Sequence, residues 1–184
     1  MATREMLDAL ARLLEYPGPD YRNDARVCLR TAPVELVPLL TPFVEHVDVL
    51  SVEELQELFI QTFDLNPVCS LEMGWHLFGE NYDRGLLLVR MRQELRAHGL
   101  PESTELPDHL THALRLVGRM EHGRAADFAA AVLLPALVKM LPAFAGKQNP
   151  FENVLLAAKS ALQAEFPEIP ALPEQTQPAL RVLA

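Results

Sequence analysis

The chain has 184 residues, 49% of them apolar, with 16 Lys and Arg against 25 Asp and Glu and a formal net charge of -9. It is long and apolar enough for one domain with a substantial core, which excludes general disorder. The acidic balance disfavours nucleic acid and anionic membrane and suits a basic partner, although solubility alone asks for the same excess.

Thr3 is placed to cap a first helix carrying Met6, Leu7, Leu10, Leu13 and Leu14 on one face, and Tyr16-Pro17-Gly18-Pro19 ends it. That first stretch is charged and has no apolar h-region, so no secretory signal is expected. A second helix is expected from about Asp20 to Arg30. Residues 33–50 keep helical period through Leu36, Leu40, Phe43 and Val47, with Pro38 and Pro42 disturbing the start or the continuity. Ser51-Val52-Glu53-Glu54 is a capping box, and the helix it opens buries Leu55, Leu58, Phe59 and Thr62 until Asn66-Pro67 stops it.

Residues 70–79 read as a short helix closed by Gly79, and the next helix runs to about His98 with Gly99 past its end. Leu106-Pro107-Asp108 opens another, with Leu110, Leu114 and Val117 on its core face and Gly123 at its end. Residues 125–145 are strongly apolar, and Pro135 predicts a kink. Asn149-Pro150-Phe151-Glu152 starts a last helix. Beyond Phe166, Pro167, Pro170, Pro173 and Pro178 predict an extended tail, with Ala179 to Ala184 folding back or serving as a small sticky segment. The expectation is an all-α single-domain bundle of about seven to nine helices over residues 1–166, and a Pro-rich C-terminal tail over 167–184. No apolar run approaches the roughly 18 residues of a bilayer span, so the reading is cytoplasmic, with Cys28 and Cys69 reduced and making neither a disulfide framework nor a metal motif.

Few residues offer chemistry. Ser51, Ser70 and Ser160 lack nucleophile-elbow glycines, and there is no phosphate loop. Glu72 and His76, four apart, and His109 and His112, three apart, could build a metal site between helices, but without the paired Glu-x-x-His pattern. Capping, hydrogen bonding and partner contact are the other roles open to them. Arg84, Arg90, Arg92 and Arg96 concentrate positive charge on one helix, as a solvated face paired with Glu94 or as a contact for an acidic surface or anionic cofactor. Asp64 can cap a turn or meet a peptide's Arg or Lys. Asp108 has the same two roles open, in a helix's first turn. Trp75 and Phe78 are core, or they line a groove.

Thr62-Phe63-Asp64-Leu65-Asn66-Pro67, His76-Leu77-Phe78-Gly79, Arg84-Gly85 and Glu105-Leu106-Pro107-Asp108-His109-Leu110 occur in that order. Together they resemble the respiratory nitrate reductase delta-subunit (NarJ-type) family, a branch of the TorD-like molybdoenzyme assembly chaperones. Glu72 stands where that family often has Tyr, and Asp83 where an aromatic is frequent. The resemblance implies an all-helical, non-catalytic protein with no catalytic or metal site and no stably bound cofactor. Its partner would be the apo catalytic (alpha) subunit of a respiratory nitrate reductase or related molybdoenzyme, chiefly its N-terminal leader-like segment. It would promote insertion of the molybdenum–bis(pyranopterin guanine dinucleotide) cofactor into that client, without binding nucleic acid or inserting into membrane. Client-binding residues would be Phe63, Asp64, Trp75, His76, Phe78, Asp108 and His109. The competing readings are a metal-binding helical-bundle enzyme on Glu72, His76, His109 and His112, and a regulatory adaptor for some other peptide.

Overall fold

The computed structural model describes residues 4–101 and 103–169. Thr3 and the tail from Pro170 onward, both assigned roles above, lie outside the described residues. The chain is helical throughout: α1 (Arg4–Arg12), α2 (Tyr21–Thr31), α3 (Val37–Asp48), α4 (Val52–Phe59), α5 (Met73–Phe78), α6 (Tyr82–Ala97), α7 (Leu110–Val117), α8 (His122–Phe128), α9 (Leu134–Met140) and α10 (Phe151–Glu165). A π turn, Ala129–Leu133, joins α8 and α9 into one rod, so nine helices make the all-α bundle among the described residues. The only extended pairing among them is an isolated antiparallel bridge between Glu72 and His109.

Local chemistry explains most of the boundaries. Ser51 accepts the Glu54 N–H, and the Glu54 carboxylate accepts the Ser51 N–H at 2.7 Å, so the capping box of α4 is complete. Pro38 sits in the first turn of α3, where its missing N–H costs nothing, and α3 runs on through Pro42. Gly79 (φ +61°) and Gly99 (φ +66°) close α5 and α6 in the left-handed region, as a C-terminal glycine should. Asn149 Oδ1 accepts the Phe151 N–H at 3.0 Å and so caps α10.

Three expectations need correction. The helix after Leu106 begins only at Leu110, with His109 as its N-cap, so Asp108 precedes the helix and is not in its first turn. That helix ends at Val117 with Gly118 as its cap, and Gly123 instead lies in the first turn of α8. Third, His122–Phe144 is one continuous helical stretch of 23 residues, long and apolar enough by length and composition to cross a membrane. More than half of its apolar window is buried inside the bundle; Phe128, Val132, Leu133, Leu137 and Met140 are wholly covered. Pro135 stands in the first turn of α9, directly after the π turn. A proline there cannot donate to the turn below and crowds the carbonyl four residues back, and the wider turn relieves both.

α1 packs on α2, α7 and α10, α10 packs on α3 and α9, and α5 lies against α6 and α9. An aromatic cluster ties these layers together. Phe151 at the start of α10 meets Phe43, Phe59 and Phe63 with ring centroids 5.7, 5.7 and 4.9 Å apart. Phe63 also reaches Phe144 at 6.4 Å. Such pairs add about 0.5–1.5 kcal/mol each beyond area burial. Phe63 thus joins the core to the surface described next.

Candidate functional site

After α4 the chain enters a second π turn, Ile60–Asp64, in which the Leu65 N–H reaches back to the Ile60 carbonyl at 2.9 Å. The wider turn buries Phe63 and leaves Asp64 exposed. Asn149 clamps it, donating to Thr62 Oγ1 at 2.7 Å while Thr62 Oγ1 donates to the Leu58 carbonyl at 2.7 Å. Asn66 and a 3₁₀ turn, Pro67–Cys69, then lead into an extended stretch. There the Leu110 N–H donates to the Leu71 carbonyl at 2.8 Å and the Met73 N–H to the Asp108 carbonyl at 2.9 Å. Two segments more than thirty residues apart are thereby locked edge to edge.

Beneath that lock lies Asp108, 0% exposed. Its Oδ2 accepts the Gly74 N–H at 3.0 Å and the Arg84 Nε–H at 3.4 Å. Its Oδ1 is buried without a hydrogen-bond partner. Burial pushes the carboxyl above its ordinary range, and the Arg84 charge and the Gly74 N–H only partly offset this. A Cβ at residue 74 would lie 2.5 Å from Asp108 Oδ2, so glycine is required for the approach. Arg84, held by Asp108 from below, stands 5.9 Å over the Trp75 ring.

A cleft of about 390 Å³ opens over this floor, lined by Phe63, Asp64, Pro67, Ser70, Leu71, Glu72, Trp75, Arg84, Glu105 and His109. Its apolar surface is Phe63, Leu71 and Trp75, and three carboxylates, Asp64, Glu72 and Glu105, stand round it. Burial raises the Asp64 pKa and the Glu72 charge raises it further, so these two carboxylates feel one another. Ser70 Oγ–H donates to the Glu72 carboxylate, and the Glu72 N–H donates to Ser70 Oγ at 3.3 Å, which fixes Glu72 in place. Exposed Leu65, Val68 and Leu106 adjoin the lining residues in sequence.

The histidines are committed to the fold. His109 Nδ1 accepts the Thr111 N–H at 3.4 Å as the N-cap of α7, with Thr111 Oγ1 2.7 Å away, so the ring proton sits on Nε2. Burial, with His112 and Arg115 nearby, pushes its pKa down to about 3. Glu105 at 4.0 Å would favour the charged ring, but it is half exposed and too far to outweigh desolvation. His112 donates from Nδ1 to the Leu106 carbonyl at 3.0 Å and accepts at Nε2 from Ser103 at 2.9 Å. His76 Nε2–H donates to the Ser70 carbonyl at 2.6 Å, and burial lowers its pKa. Glu72 lies outside α5, so it and His76 do not form a helical pair. Among the described residues no group of three His, Cys, Asp or Glu is placed to hold a metal.

Of the seven residues singled out in the sequence, Phe63, Asp64, Trp75 and His109 meet in the cleft. Asp108 lies under it. His76 and Phe78 are half-buried residues of α5, outside the lining, with Phe78 packed against the core. Glu72, Glu105 and Arg84 join the site without having been assigned to it. Arg84 reads in sequence as one cation among four on a helix, but here it faces Asp108, while Glu94 pairs with Arg124 at 2.7 Å. Its signal was the Arg84-Gly85 pair.

The described helices thus form a bundle with an acidic, aromatic-floored cleft, and His76, His109 and His112 beside it are held in hydrogen bonds within the fold. The sequence model of the nitrate reductase delta subunit family matches residues 29–151, and the chain belongs to that family. Among curated proteins it is 28% identical over 125 residues to the nitrate reductase molybdenum cofactor assembly chaperone NarJ of Escherichia coli strain K12, and equally to that of Escherichia coli O157:H7. Those alignments cover 64% of this chain and 53% of each relative, so the chain spans about half the length of the curated relatives it matches.

Proposed function

We propose that this protein is a system-specific chaperone for a nitrate reductase-type molybdoenzyme, acting in the cytoplasm without turnover of its own. It holds the cofactor-free catalytic subunit by its N-terminal segment and favours insertion of the molybdenum–bis(pyranopterin guanine dinucleotide) cofactor and assembly of the complex. One observation carries this reading: the Thr62–Pro67, Ser70–Gly79 and Glu105–Leu110 segments converge on a single cleft. A basic, amphipathic peptide lays its apolar face on Phe63, Leu71 and Trp75 and its cations toward Asp64, Glu72 and Glu105. The same carboxylates repel the diphosphates of a guanine dinucleotide. The cleft therefore suits the client peptide, and the cofactor's place is in the client. Release requires that the immature client bind more tightly than the mature one.

The test is calorimetric titration with a synthetic peptide matching the N-terminus of the co-encoded catalytic subunit. Wild type binds it. Asp64→Asn and Glu72→Gln weaken binding about three- to tenfold with unchanged melting, as for rim charges near a desolvated anchor. A wild-type protein that ignores the peptide at every salt concentration would sink the reading.

A further inference from the structure

We propose that the outward face of α6 is a self-association surface, through which two copies of this chain pair antiparallel about Leu86. The residues of this face do not line the cleft, and the inference is independent of the client reading. Three observations support it.

The first is an apolar face without a cover. α6 turns Leu87, Met91 and Leu95 into the core, and a bundle helix would ordinarily be polar on the other side. Here it is not. Tyr82 is 77% and Val89 56% exposed, and half-buried Leu86 lies between them. Residues 82, 86 and 89 follow the i, i+4, i+7 spacing of a single stripe. Gly85 stands beside it, and a Cβ added there would meet nothing within 4 Å. Glycine inside a helix is unfavourable relative to alanine. No neighbour within the chain requires it, whereas a second helix gains a closer approach there.

The second is charge. Asp83 and Arg90 both belong to α6. Seven residues apart, they share one flank but stand about two turns, roughly 10.5 Å, from each other, too far to pair. Arg84, next to Asp83, is turned to Asp108, and no ion pair among the described residues takes the Asp83 carboxylate. Arg90 Nη1 has no hydrogen-bond acceptor, and Glu94, the acid one turn on, pairs with Arg124 at 2.7 Å. A copy laid antiparallel about Leu86 brings Asp83 of each chain to Arg90 of the other. The two-fold makes that pair twice and sets Tyr82 of each chain beside Val89 of the other.

The third is the polarity of the whole segment. Glu80 and Asp83 stand at its start, and Arg90, Arg92 and Arg96 follow in its second half. A partner of one charge would be drawn to one end and repelled at the other. A reversed copy matches both. One helix face is a small interface and the chain carries a net charge of -9, so the pairing belongs to the weak, transient class.

The experiment is sedimentation velocity on the full chain from about 1 to 300 µM, the range of a weak interface. It compares wild type, Val89→Glu, Asp83→Lys and Arg90→Glu, each also checked for melting. Wild type passes from monomer to dimer with concentration. Each variant raises the dimer Kd about tenfold or more. Asp83→Lys and Arg90→Glu mixed in equal amounts dimerise as wild type does, because each repairs the other's charge across the two-fold. Wild type that stays monomeric throughout would overturn the proposal and leave the face to a different protein. So would a dimer that survives Val89→Glu, which would use another surface, or a mixture of the two folded charge variants that stays monomeric. Val89→Glu lies at an exposed position and decides the face even if Arg90→Glu disturbs the fold.

Discussion

Gly74 and His109 show how single residues hold this surface. Adding a methyl group at Gly74 drives it into Asp108 Oδ2 at 2.5 Å and against Leu87 and Arg84 at 3.1 Å. Asp108 has nowhere to move without losing the Gly74 N–H and Arg84 together. Gly74→Ala should destabilise by about 1–3 kcal/mol, read from urea melts. His109 sets a pH dependence. Its folded pKa is about 3 against 6.5 unfolded. Its contribution is therefore present above pH 6.5 and is lost as pH falls toward 3, because protonating Nδ1 removes the cap of α7. The full loss is on the order of 5 kcal/mol. His109→Asn keeps a cap acceptor and removes the titration. Its melting temperature should fall less than wild type's between pH 6.5 and 4. Asp64 and Asp108, both raised, act oppositely and lose stability as pH rises through their folded values. Their presence in both proteins leaves the comparison intact. Parallel pH curves for the two would disprove the assignment.

At the scale of elements, α4 depends on its start and the cleft depends on its end. Ser51→Ala removes the acceptor of the Glu54 N–H and should cost about 1 kcal/mol. Since α4 carries Phe59 into the aromatic cluster and feeds the π turn, the loss should appear in global melting and leave Trp75 emission in the folded protein unchanged. Capping boxes and C-terminal glycines were legible because both are local: two side chains and two N–H groups within four residues decide them. The π turns were not legible. The Ile60–Asp64 turn trades one regular hydrogen bond for a side-chain direction that only a distant packing partner rewards, Phe151 for Phe63, and Pro135 marks the other turn in sequence only as a disturbance of the helix. The start of α7 was misread for a similar reason. Pro107 and Asp108 look like a helix's first turn, but Asp108 is drawn beneath Gly74 and Arg84 by contacts from distant segments, and the helix starts after it.

For the whole molecule, a net charge of -9 and three carboxylates round one apolar cleft predict screening. Client-peptide affinity should weaken steadily between 50 mM and 0.5 M salt, mostly through slower association. Salt-independent binding in titration calorimetry would place the peptide elsewhere. The bundle also explains why a helix apolar enough for a bilayer stays inside the protein. α8, α9 and the π turn between them bury Phe128, Val132, Leu133, Leu137 and Met140 against the surrounding helices, while Val138 stays exposed.

The all-helical architecture, most helix ends and the resemblance to one family were determined by the sequence alone. Helical period, caps and short motifs are properties of neighbouring residues, and they survive without any knowledge of the fold. Which polar residues share a surface was decided by tertiary structure. The Leu71–Leu110 and Met73–Asp108 hydrogen bonds bring Glu72 beside His109, sink Asp108 under the floor and turn Arg84 out of its row of arginines. No spacing in the chain encodes that. The register between the two segments depends on burying Leu71, Met73 and Leu110 in one core, and burial is a sum over every helix that packs there.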